Sequence, residues 1–173
     1  DRQLTNRVAA AQGVAEGVDT TTWTVTSTLN DNTLYYWRVR SSDYAASSIW
    51  TYDTFFVDTA NQAPGVFNIS RPVVGSYVDT ITPVLEVTNS SDVDQDVLTY
   101  NFEVYSDSGL ISSVTSVSGI PAGTDGTTAW TVDSALNDET EYFWKVTAVD
   151  PDGLETSTTG SFTVSTANQA PSE

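Results

Sequence analysis

The junction Thr59-Ala60-Asn61-Gln62-Ala63-Pro64 recurs as Thr166-Ala167-Asn168-Gln169-Ala170-Pro171, 107 positions further on. A repeat of that length is the size of a domain, so the chain must be read as successive copies of one folding unit. The same offset pairs Trp23-Thr24-Val25 with Trp130-Thr131-Val132 and Leu29-Asn30-Asp31 with Leu136-Asn137-Asp138. It also pairs Tyr35, Trp37, Val39 and Asp43 with Tyr142, Trp144, Val146 and Asp150, and Phe55 and Val57 with Phe162 and Val164. Upstream of Trp23 the offset is 106, matching Asp1 to Asp107, Leu4 to Leu110, Gly13 to Gly119 and Gly17 to Gly123, because one extra residue lies between Asp125 and Trp130.

Residues 64–170 therefore form one whole repeat, residues 1–63 read as the back part of a copy whose opening strands are not in this sequence, and residues 171–173 begin a further linker. With no Met in 173 residues, the sequence reads as a segment of something longer. Half a sheet structure exposes an apolar face and unpaired strand edges, so the missing part is expected either in the same polypeptide or from a neighbouring chain.

Inside the whole copy the apolar period is two. Leu85 and Val87 alternate with Glu86 and Thr88, Tyr100, Phe102 and Val104 alternate with Asn101 and Glu103, and Tyr142, Trp144 and Val146 alternate with Phe143, Lys145 and Thr147. That is the pattern of half-buried strands. Pro72 with Gly75 predicts a break ahead of Tyr77, Ser106-Asp107-Ser108-Gly109 and Asp150-Pro151-Asp152-Gly153 predict turns, and residues 110–118 predict a polar edge strand. Residues 119–126 are expected to loop, and the closing strand is expected over residues 160–165. Thr, Ser and Val abound beside 5 Trp, 8 Tyr and 6 Phe, so the class is all-β. Trp23, Trp37, Trp130 and Trp144 all fall on inward positions and are expected in cores.

The charge balance excludes several functions. With 23 acidic residues against 6 basic ones, a formal charge of −17 repels nucleic acid and anionic membrane surfaces. Absence of Cys and His removes thiolate and imidazole chemistry, and no apolar run approaches the roughly 20 residues a spanning helix needs, so no direct membrane insertion is expected. Without a nucleophile elbow or a phosphate-binding loop either, the chain reads as non-enzymatic.

Leu136, followed six residues later by Tyr142 and then by alternating Trp144 and Val146, resembles the tyrosine-corner pattern of fibronectin type III-like and immunoglobulin-like repeats of bacterial surface proteins. Leu29, Tyr35, Trp37 and Val39 repeat it. The resemblance implies tandem antiparallel β-sandwiches at a bacterial cell surface or outside the cell. It also implies that the incoming linker meets the loop 89–96 and the turn 150–153 at one pole of the sandwich. Linker residues Asn61, Ala63 and Pro64 are similar to the calcium-binding joint of cadherins.

Asp92, Asp94 and Asp96 stand at alternate positions of that loop, and Asp150 and Asp152 lie in the facing turn. Together with Asn61 they are the candidate metal ligands, hard oxygen donors suited to calcium. The competing account is plain turn chemistry in solvated loops. Two readings of the whole follow: a non-catalytic extracellular spacer or adhesive stalk stiffened by calcium, or a filament subunit completed by strands of a neighbour through self-association. A third, a carbohydrate-binding module, would use Trp50, Tyr52, Tyr36 or Phe143 as sugar platforms, so the partners expected are a protein or a cell-surface glycan.

Overall fold

A computed structural model describes residues 5–167. All regular structure among them is β, and the chain divides into two compact units, Asp1–Ala60 and Asn61–Glu173.

The first unit contains one antiparallel ribbon, β1 (Thr33–Val39) and β2 (Thr51–Val57). Tyr35 stacks on Phe55 with ring centroids 5.7 Å apart, and the Tyr35 hydroxyl accepts a hydrogen bond from the Asn30 backbone N–H at 2.9 Å. No second sheet covers this ribbon among the described residues. Trp23 and Trp37, expected in a core, are 47% and 43% exposed. Trp23 lies outside any strand, and alternation places Trp37 on one face of β1, but a face becomes a core only when another layer closes on it.

The second unit has that layer. Its strands are β3 (Ile69–Arg71), β4 (Ser76–Val78), β5 (Val84–Thr88), β6 (Thr99–Tyr105), β7 (Ser113–Pro121), β8 (Thr127–Thr131), β9 (Thr140–Val149) and β10 (Glu155–Val164). They form a five-stranded sheet in the order β4-β10-β9-β6-β7 and a three-stranded sheet in the order β3-β5-β8. All neighbours are antiparallel except β4, which runs parallel to β10. The chain changes sheet between β3 and β4, where Pro72 lacks an N–H for the ladder and Gly75 takes a φ of 75°.

Alternation decides what fills the space between the sheets. Leu85, Val87 and Trp130 come from the small sheet, and Tyr100, Phe102, Val104, Tyr142, Trp144 and Phe162 come from the large one. Phe102 stacks on Trp144 at 6.3 Å with planes 8° apart, and Trp144 is fully buried. The Tyr142 hydroxyl accepts from the Asn137 N–H at 2.9 Å, the same corner that Tyr35 and Asn30 make in the first unit.

Two strands differ in their limits from the sequence expectation: β7 runs over Ser113–Pro121 instead of 110–118, and β10 over Glu155–Val164 instead of 160–165. Gly119 does not end β7. It sits at φ 73° and donates its N–H to the Asn101 side chain, beside a register shift against β6, so the glycine makes a bulge within a strand that continues to Pro121. Strand β10 begins at Glu155, because its Ser and Thr residues pair with β9 without carrying the apolar signal that marks its second half.

Gly160 lies against Trp144 where a Cβ would sit 2.7 Å from the Ile69 Cδ1 and 2.9 Å from the Trp144 Nε1. Gly160→Ala should therefore destabilise the second unit by about 1–3 kcal/mol through overpacking, read as a lower urea midpoint at unchanged slope. Ile69 belongs to the small sheet and Trp144 to the neighbouring strand of the large one, so both layers set the restriction, and the counterpart position in the uncovered ribbon holds Asp53.

Candidate metal centre

The start of the second unit is fastened to two of its loops. Asn61 donates its side-chain amide to Asp150 Oδ2 at 2.8 Å, and the Gln62 backbone N–H donates to Asp94 Oδ2 at 2.6 Å. The Pro64 carbonyl accepts from the Thr156 hydroxyl, and the Gly65 N–H donates to the Ser91 carbonyl at 2.8 Å. Ser90, Ser91 and Thr156 carried no signal in the sequence. The glycine at 65 is the one sequence signal that could have pointed there, since a Cβ at this position would lie 3.0 Å from the Ser91 carbonyl oxygen.

Loop residues Asp92, Asp94 and Asp96 each direct a carboxylate oxygen into one spot, all within 4.8 Å of one another. Local turn chemistry sets this up. Asp92 Oδ1 accepts from the Asp94 N–H at 2.8 Å, and Gln95, at φ 66°, donates to the Asp92 carbonyl. The tight turn folds the three alternate side chains inward. Asp94 is 8% exposed and Asp150 is 5% exposed.

Hydrogen bonding separates this cluster from four other aspartates of the chain. Asp107 accepts from the backbone N–H groups of Gly109, Ile111 and Ser112, Asp138 accepts from Thr166, Asp31 from Thr59, and Asp43 from Ala45 and Ala46. Those carboxyls are held below their ordinary range by the bonds they accept, as turn-builders should be. In the cluster, by contrast, Asp92 Oδ2 and Asp94 Oδ1 are buried with no hydrogen-bond partner. Two buried anionic oxygens without donors are expensive unless something positive sits between them.

The remaining candidates divide. For Asp150, burial pushes the carboxyl up, but the bonds from Asn61 and from the backbone of Leu154, Gly153 and Asp152 outweigh it and hold it below its ordinary value. Both its oxygens are occupied, so Asp150 positions the linker. Asp96 is pushed upward, first by desolvation and then by the charges of Asp92, Asp150, Asp152 and Asp94. Asp152 stays exposed and reaches the cluster through its charge alone.

The two shifts have opposite consequences for stability in chelator. Asp150, with a depressed folded pKa, adds stability above the unfolded carboxylate range that is lost as pH falls through the folded pKa. Asp96, with a raised one, carries a penalty at neutral pH that is relieved as pH falls through that pKa. Asp150→Asn should lower the urea midpoint at pH 7 and flatten its acid loss, whereas Asp96→Asn should raise the midpoint at pH 7.

Carboxylate oxygens are hard donors that suit a hard divalent cation, and this cluster offers one from each of Asp92, Asp94 and Asp96. Elsewhere, both the Arg38 and Arg40 guanidinia lie over the Trp50 ring, 4.2 and 4.5 Å from its centroid, so that ring is already engaged. Lys145 pairs with Glu103 across β9 and β6 at 3.0 Å.

No family model matches the chain, and no curated protein matches it. Among solved structures, the chain is similar to the crystal structure of CopC from Methylosinus trichosporium OB3b at 14% identity, with a TM-score of 0.42, over 61% of this chain and 100% of that one. Among the described residues no helix is long and apolar enough to cross a membrane.

Proposed function

We propose that the chain is part of a non-catalytic, extracellular structural protein built of tandem immunoglobulin-like sandwiches, acting as a spacer or adhesive stalk, with calcium held at the head of the second unit. The observation that carries the calcium reading is the pair of buried, unpartnered oxygens, Asp92 Oδ2 and Asp94 Oδ1, within a cluster of three carboxylates. Asp92, Asp94 and Asp96 would hold the ion. Asn61 and Asp150 would lock the linker beside it, through the bond they already share. The ion supplies positive charge that cancels the repulsion among the loop carboxylates and thereby stiffens the segment that enters the sandwich. Mechanical function follows from this, since the reach of an array is set by how rigidly each unit is fastened at its start.

The tandem reading rests on the internal repeat and on the matching tyrosine corners of the two units. Such a stalk works by spacing rather than by chemistry, and its far-end partner would be a protein or a glycan on another surface. Amide exchange at Gln62, whose N–H is bonded to Asp94, tests the clamp. Calcium should slow that exchange by about 100-fold when the ion is in 100-fold excess over its Kd. Equal rates with calcium and with chelator would remove the clamp from the account.

A further inference from the structure

We propose that the ribbon β1–β2 is the inner half of a second sandwich, and that what covers it is a polypeptide segment with the strand pattern of residues 64–106, the segment that precedes the repeat's matching point at Asp107. This goes beyond the calcium reading and does not depend on it.

Every pair in the first ribbon recurs in the second unit at the repeat offset: Thr33 with Val57 becomes Thr140 with Val164, Tyr35 with Phe55 becomes Tyr142 with Phe162, and Val39 with Thr51 becomes Val146 with Thr158. The aromatic stack recurs too, at 5.7 and 6.0 Å. The two ribbons are thus one structure in two settings. In the second unit the shared face is closed by β5 and β8, and the other side of β9 is paired with β6 from Phe143 to Val149. In the first unit β1 pairs only with β2 among the described residues, and Trp37 is 43% exposed where Trp144 is fully buried. An open strand edge beside an aromatic face is a template for strand addition.

Charge identifies the occupant further. Lys145 of β9 meets Glu103 of β6 at 3.0 Å, and the residue at the Lys145 position in the ribbon is Arg38. Arg38 presently lies over Trp50. A strand of the β6 type brings an acidic residue opposite Arg38, which completes the pairing along the open edge. One departure marks the limit of the match. Asp53 stands where Gly160 makes room for Ile69, so a β3-like strand packs less closely there.

The test is to place a copy of residues 64–106 directly ahead of Asp1 in the full 173-residue chain, and to follow amide exchange in β1. A second form carries Asp53→Gly as well, so that a clash at that one position cannot hide the result. A third carries the same insert with its apolar positions scrambled. The proposal expects the β1 amides that face away from β2 to slow by about 100-fold or more in the native-sequence insert, in one or both of the first two forms, and to stay fast with the scrambled one. Fast β1 exchange in both native-sequence forms would overturn it. So would concentration-dependent protection of β1 in the unmodified chain, which would assign the face to a second copy instead. Neither outcome touches the calcium response of the second unit, so the two readings fail separately.

Discussion

Replacing Trp144 by Ala should lower the stability of the second unit by about 3–5 kcal/mol, whereas the same change at Trp37 should stay within about 1 kcal/mol. The two residues hold the same place in the repeat, so sequence alone gives them equal weight. Trp144 is fully buried and stacked on Phe102, and its removal leaves a cavity that the two sheets cannot close. Trp37 is 43% exposed and loses much less contact. Against a total of about 5–15 kcal/mol for an ordinary domain, the loss at Trp144 is enough to leave a sizeable unfolded fraction at 37 °C. Trp144→Phe should lose less than half as much, since it keeps the stack and also removes a buried indole N–H that has no partner. Urea unfolding followed by near-ultraviolet circular dichroism reads all three variants. A loss at Trp37 equal to that at Trp144 would mean that the ribbon is covered in solution.

Calcium is expected to produce the second large effect. At 100-fold excess over its Kd, an ion that binds only the folded unit adds about 2.7 kcal/mol, which for a unit of this size raises the melting temperature by about 10 °C. Asp94→Asn should abolish that rise, because it replaces an anionic oxygen at the buried centre of the cluster while leaving an acceptor for the Gln62 N–H. In chelator the same variant should melt higher than the parent protein, since one of three mutually repelling carboxylates is gone. A purely structural role for Asp94 would instead lower the melting temperature in both conditions.

The strands of the second unit were legible from alternation because both faces of its sheets differ, one apolar and one polar. Gly119 and the first half of β10 were not, since a bulge depends on the partner strand and Thr-rich pairing leaves no apolar period. The exposure of Trp23 and Trp37 was equally invisible, for burial is a property of the opposite layer. At the candidate site, the alternate spacing of Asp92, Asp94 and Asp96 singled out the residues. It gave no account of which oxygens would be satisfied. That depends on where backbone N–H groups fall: the Asp94 N–H takes one oxygen of Asp92, the Gln62 N–H takes one of Asp94, and the two left over are the ones buried without partners. Asp150 illustrates the converse, a residue chosen for its charge whose oxygens are both used in holding Asn61 and the turn.

Isothermal titration of calcium into the chelator-treated chain, beside the Asp94→Asn variant, tests the calcium site directly. The account predicts saturable binding at one site per second unit in the parent protein and its loss in the variant. Heat no greater than dilution in the parent, or binding that survives Asp94→Asn unchanged, would contradict it.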